Sequence, residues 1–150
     1  ASDVYKRQIE CSPNSLNKNG SVKSEIVGGN LSILYSLLGS KSDIKTDNKI
    51  LFIEDLDEYL YHVDRMIISL KRAGKFNNIK AMIVGSMTKM HDNKIKFGMN
   101  AKEIIKYHTK EFNFPVCFNF PAGHQKNNRP VILGKVSKLD INSNLVCLSQ

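Results

Sequence analysis

Short apolar blocks alternate with polar stretches along this chain, and the period of the apolar residues changes from block to block. "ILFI" (50–53), "IKAMIVG" (79–85) and "PVCFNF" (115–120) are compact apolar-rich runs. Runs of this kind, bounded by polar or turn-forming residues, read as buried strands. Between them the period is helical. Leu31, Leu34 and Leu38 share one face behind Asn30, a residue suited to capping, and Gly39 suits the stop. Leu60, Val63, Ile67 and Leu70 recur at helical spacing as far as Ala73, where Gly74 ends the pattern. Asn100 with Glu103 three residues on has capping-box spacing and predicts a helix running to Lys110. "VILGKVSKL" (131–139) and "LVCL" (145–148) read as terminal strands joined by a turn at Asn142 to Asn144. Residues 11–25, with Pro13, Gly20 and many Asn and Ser, have loop composition. The alternation predicts an α/β domain with a parallel central sheet, flanking helices and antiparallel pairing among the last strands.

The run "ILFI" ends in four acids, Glu54, Asp55, Asp57 and Glu58. Asp57 and Glu58 are expected in the first turn of the next helix, where carboxylates meet the positive end of the helix dipole. Glu54 adjoins the apolar run and precedes the helix, so it must be hydrogen-bonded or paired to offset its desolvation. Functional side chains in open α/β sheets collect where strands end. His124 in "FNFPAGHQKNNRP" follows another strand end, with Ala122 and Gly123 letting the backbone turn. Two strand ends can bring a carboxylate to an imidazole, fixing its tautomer and stabilising the imidazolium. On spacing alone, a locally satisfied histidine explains His124 better than the pairing does. His62 and His108 in predicted helices and His91 in a polar loop read as solvated surface, and no HxxxH or HExxH spacing marks a metal site.

Composition narrows the class. At 150 residues the chain has the length of one domain, and 41% hydrophobic with 24% charged residues is ordinary for a globular protein. No apolar run approaches the roughly 20 residues that cross a bilayer, and no signal-peptide pattern opens the chain. Three cysteines without a CxxC pair suggest a reduced, cytoplasmic chain, with Cys117 and Cys147 as small buried hydrophobes. The net charge of +8 is spread over scattered lysines, which argues for a solvated basic surface and against a nucleic-acid or membrane partner. The first eight residues, "ASDVYKRQ", fit nothing that follows. They are what GCG TCA GAT GTG TAT AAG AGA CAG encodes, and they resemble a translated sequencing adapter, expected to be disordered, with the domain spanning 9–150.

A nucleophile is missing from this picture. There is no GxSxG elbow, and Ser86 in "VGSMT" and Ser40 in "LGSKS" lack its flanking glycines and context. No cysteine sits among basic residues, and neither GxxxxGK[ST] nor GxGxxG occurs.

Four stretches, in order, carry a resemblance: "SEIVGGNLSILYSLLGS", "KILFIEDLDEYLYHVDRMIISLKRAG", "AMIVGSMT" and "FPVCFNFPAGHQKNN". Together they resemble the C-terminal domain of the LD-carboxypeptidases, a serine peptidase family that includes murein tetrapeptide carboxypeptidases and microcin C immunity proteins. The resemblance runs from about Asn14 to the end. It implies a swivelling-type domain that supplies the Glu and His of a Ser-Glu-His triad, carried over as Glu54 of "FIED" and His124 of "PAGH". It implies no cofactor and no metal, a muropeptide substrate, Asn30 of "GGNL" as a substrate contact, and room for a homodimer.

The chain departs from the family in lacking the N-terminal nucleophile domain. The adapter-like start accounts for that as truncation, and the fragment alone is expected to be inactive. The intact protein would remove terminal D-alanine from a murein tetrapeptide in cell-wall recycling. Two alternatives are an immunity-type hydrolase of peptide-nucleotide conjugates, although "QKNNRP" after His124 offers no base-stacking aromatic, and a binding module that kept the scaffold without catalysis.

Overall fold

A computed structural model describes residues 7–150; "ASDVYK", most of the adapter-like segment, lies outside the described residues. Among the described residues seven strands form one mixed sheet: β1 (Gln8–Cys11), β2 (Gly20–Asn30), β3 (Ile50–Leu56), β4 (Ala81–Thr88), β5 (Val116–Cys117), β6 (Val136–Ile141) and β7 (Val146–Ser149). Three helices, α1 (Leu31–Ser36), α2 (Leu60–Arg72) and α3 (Ala101–Thr109), connect β2 to β3, β3 to β4 and β4 to β5. The sheet order is β1-β7-β6-β2-β3-β4-β5. Strands β2 to β5 are parallel, while β1, β7, β6 and the first half of β2 are antiparallel, as expected for the chain's α/β class.

Strand β2 belongs to both halves. Gly20 to Glu25 pair with β6, and Ile26 to Asn30 pair with β3. Its first half overturns the loop expected over 11–25. "GSVKSE" alternates along a strand whose outer side faces solvent, so one partly buried valine is all the apolar signal it carries. At the crossing into the parallel half, Gly28 has φ +140, and a Cβ there would collide with the Phe52 carbonyl. The close approach lets β2 deliver Asn30 directly opposite Glu54.

Because side chains alternate along each strand, β3 feeds two cores. Leu51 and Ile53 pack with the helices through Leu31, Val63, Ile67, Leu70, Ile104 and Ile105. Ile50 and Phe52 pack on the opposite face with Ile9, Leu139, Ile141, Val146 and Leu148 from the antiparallel strands. Burial on both faces is why "ILFI" and "AMIV" read as continuous apolar runs.

Several boundaries differ from expectation. Helix α2 begins at Leu60 with Tyr59 as its N-cap, so Asp57 and Glu58 precede it and have no place in its first turn. Asp57 adopts φ +60, which turns the chain out of β3 before the helix can start. "PVCFNF" is a strand only at Val116 and Cys117, because Asn119 at φ +59 breaks the extension. Strand β6 starts at Val136 and not at Val131. Arg7 and Gln8 join the ladder: Gln8 pairs with Ser149, and Arg7 exchanges both backbone hydrogen bonds with Gln150 at 2.9 and 2.8 Å. Backbone pairing of this kind does not depend on side-chain identity, so an unrelated segment can extend the edge. The capping box at Asn100 and Glu103 forms as predicted. Among the described residues no helix is long and apolar enough to cross a membrane.

Candidate active site

The parallel strands β2, β3 and β4 all end on one side of the sheet, which places Asn30, Glu54 and Ser86 to Thr88 next to one another. A bulge sharpens that end. Ile53 pairs with Val84 but Asp55 pairs with Met87, so Glu54 faces both Gly85 and Ser86. The chain leaving β5 folds back over this bulge: Phe120 donates its N–H to Val84 O at 3.0 Å, and Ser86 donates to Ala122 O at 2.8 Å. His124 arrives there two residues later.

His124 Nδ1 lies 2.8 Å from Glu54 Oε2. An ionised carboxylate can only accept, so Nδ1 carries the proton, and in the neutral ring Nε2 is the nitrogen with the lone pair. The two partners sit in different surroundings: the Glu54 side chain is 9% exposed and that of His124 is 53% exposed. The acid is buried, while more than half of the imidazole side chain stays exposed. Three contacts fix the turn that carries it. Thr88 Oγ1 donates to His124 O at 3.0 Å, Gly123 N donates to Asn128 Oδ1 at 2.9 Å, and Gln125 N donates to Gly123 O at 3.0 Å. Gly123 has φ +119, and a Cβ there would collide with Ser86 Oγ and come within 3.0 Å of Glu54 Cβ. The glycine of "PAGH" is what lets the turn lie directly on the acid.

Behind Glu54 stands a second carboxylate that the sequence reading left without a role. Asp55 is 2% exposed and points to the helical face. Its Oδ2 accepts from Ser32 N at 3.0 Å, and its Oδ1 accepts from Leu56 N at 2.7 Å and from Asn30 Nδ2 at 3.1 Å. Burial raises its pKa above the ordinary aspartate value, against the opposing pull of these donors. The one available signal was position: a residue continuing "ILFIE" on the opposite parity had to be buried as well.

Asn30, expected to meet substrate, spends its amide inside the protein. It caps α1 by accepting from Ile33 N at 3.1 Å, accepts from Ser32 Oγ at 2.6 Å, and donates to Glu54 Oε1 at 3.3 Å as well as to Asp55. Ser86 is 5% exposed, and its hydroxyl has no hydrogen-bond partner among the described residues, so it does not engage His124 as a nucleophile would.

Of the histidines expected on the solvated surface, His91 is exposed, His62 is half-buried and His108 is not at the surface. His108 is buried and pairs through Nε2 with Asp64 at 2.6 Å, tying α3 to α2. His62 Nδ1 meets Glu58 at 2.8 Å, and His91 pairs with Asp57. The two acids that follow "ILFIED" at the junction, Asp57 and Glu58, are thus each paired with a histidine. Among the described residues no three His, Cys, Asp or Glu side chains converge as a metal site.

Residues 23–139 match the family model described as the LD-carboxypeptidase C-terminal domain. The chain belongs to this family. It is 33% identical over 115 residues to a Bacillus subtilis (strain 168) protein named "Probable murein peptide carboxypeptidase", covering 77% of this chain and 36% of that one. It is 25% identical over 122 residues to the murein tetrapeptide carboxypeptidase of Pseudomonas aeruginosa, covering 81% and 39%. In fold the LD-carboxypeptidase domain resembles the muramoyltetrapeptide carboxypeptidase from Oxalobacter formigenes, with a TM-score of 0.86 at 23% identity over 96% of this chain and 49% of that one. It also resembles the microcin C7 self immunity protein MccF solved with aspartyl sulfamoyl adenosine, with a TM-score of 0.78 at 22% identity over 96% and 41%. The chain thus spans well under two thirds of the length of each of these proteins.

Proposed function

We propose that this domain supplies the acid and base of a Ser-Glu-His triad in a serine-type carboxypeptidase that removes terminal D-alanine from murein tetrapeptides. Glu54 is the acid, His124 is the base, and the serine comes from the nucleophile-bearing part of a longer protein. The observation that carries the reading is the 2.8 Å pair of a buried Glu54 with a half-exposed His124. His124 Nε2 takes the proton of the incoming serine as its oxygen attacks the scissile carbonyl. The resulting imidazolium is held by Glu54, then gives that proton to the departing amine of D-alanine. A water activated by the same nitrogen hydrolyses the acyl-enzyme and restores the serine. Three cysteines that are all free thiols support work in the reducing cytoplasm, where recycled wall fragments would be met.

The test joins this chain to a nucleophile-bearing domain of the family and measures D-alanine release from a purified murein tetrapeptide. Release by the joined protein and none by the 150-residue chain alone is the expected result. Release by the chain alone, or none by a folded joined protein, contradicts it.

A second reading, hydrolysis of an aminoacyl-nucleotide conjugate, draws on an exposed aromatic group. The Tyr59 ring lies 5.6 Å from that of Tyr61 and 5.4 Å from that of His91, beside the Asp57–Thr88–His124 connection. Faster turnover of an aspartyl adenylate analogue than of the tetrapeptide would favour it.

A further inference from the structure

Asn30 is the residue through which the two neighbouring carboxylates meet. Glu54 and Asp55 are consecutive on β3 and point to opposite faces, so they do not touch. Asn30 ends β2 directly opposite Glu54 and reaches both, Nδ2 lying 3.3 Å from Glu54 Oε1 and 3.1 Å from Asp55 Oδ1. A primary amide has two N–H groups and two acceptor positions, and here all four are used. The Ile33 N–H and Ser32 Oγ claim the oxygen, which leaves the nitrogen facing the acids and fixes the orientation of the amide.

We propose that Asn30 and Asp55 are positioning residues for the acid of the triad: Asp55 anchors one N–H of the Asn30 amide, so that the other is held against Glu54 Oε1. With Oε1 restrained in this way, Oε2 stays aimed at His124 Nδ1. The proposal rests on the reading of Glu54 and His124 as acid and base. It assigns Asn30 a role inside the protein in place of a substrate contact.

The state of Asp55 agrees with this role. Its folded pKa lies above the unfolded value of 3.8 because burial disfavours the charged form. A group shifted upward contributes stability that is fully present below the unfolded pKa and lost as pH rises through the folded pKa. The Ser32, Leu56 and Asn30 donors hold this carboxyl in place against that desolvation, which fixes the atom on which the Asn30 amide is anchored.

The experiment uses the 150-residue chain and reads the tautomer of neutral His124 from its ring nitrogen shifts in proton–nitrogen correlation spectra. The expected wild-type form is Nδ1–H. Asn30→Ser keeps a capping oxygen but cannot bridge the two acids, and Asp55→Ala removes the anchor. Both are expected to move the population towards Nε2–H, the form a free imidazole favours. Asp55→Asn, of equal volume, carries the test if Asp55→Ala does not fold. Wild-type protein without the Nδ1–H form overturns the pairing and the proposal together. A wild-type Nδ1–H form that persists in the Asn30 and Asp55 variants overturns the proposal alone.

Discussion

Two acid–imidazole pairs of the same kind lie at opposite faces of this sheet, and on the function proposed above they do different work. Glu54 with His124 and Asp64 with His108 have similar separations, 2.8 and 2.6 Å. In the first, the acid is buried and the histidine is half exposed. In the second, the His108 side chain is 11% exposed, and its ring packs edge-on against Tyr107 between α2 and α3. A carboxylate that fixes one imidazole nitrogen is useful in catalysis only if the other can reach a substrate. Contact distance does not distinguish the two pairs; exposure of the imidazole does.

The largest expected effect separates charge from shape at the first pair. In the joined enzyme, Glu54→Gln keeps the side-chain volume but loses the charge that stabilises the imidazolium, and kcat is expected to fall roughly 10⁴-fold. Steady-state kinetics check this, with an unchanged far-ultraviolet spectrum excluding misfolding.

A smaller effect tests the turn that brings His124 to its acid. Gly123→Ala forces a Cβ into Ser86 Oγ at a φ that side chains rarely adopt. A loss of about 1–3 kcal/mol is expected in urea unfolding of the isolated chain, the range for strained backbone positions. Turnover of the joined enzyme should fall with it, because the imidazole moves when the turn does. No comparable coupling exists at His108, which sits within the helix α3 itself.

The smallest effect belongs to Glu58, which precedes α2 and whose contact to His62, four residues on, is a partly exposed pair at 2.8 Å. Glu58→Gln is expected to change stability by roughly 0.3–0.5 kcal/mol and to leave turnover unchanged. A collapse of turnover in this variant, with Glu54→Gln active, would move the triad acid to the junction before α2.

How much of this was legible without the structure depended on how local each feature is. The capping box of α3 and the apolar runs of β3 and β4 are set by neighbouring residues, and they form where the pattern puts them. The first half of β2 was hidden because its partner, β6, lies more than a hundred residues away and its outer face is polar. Asp57 was misplaced because a non-glycine residue at φ +60 leaves no mark in the sequence. Glu54 and His124, 70 residues apart, could be put at strand ends by pattern, but only the motifs "FIED" and "PAGH" joined them. The Asn30 bridge needed parallel register between β2 and β3, which no local signal carries.

The central claim is tested most directly by exchanging the fates of the two histidines. His124→Ala and His108→Ala are placed in the joined enzyme, and D-alanine release and melting temperature are measured on both. The account predicts that His124→Ala loses several orders of magnitude in kcat and melts like wild type. It predicts that His108→Ala keeps its kcat and loses roughly 1–3 kcal/mol of stability, as expected when a hydrogen bond to a charged group between two helices is removed. A His124→Ala enzyme that still releases D-alanine at the wild-type rate contradicts it.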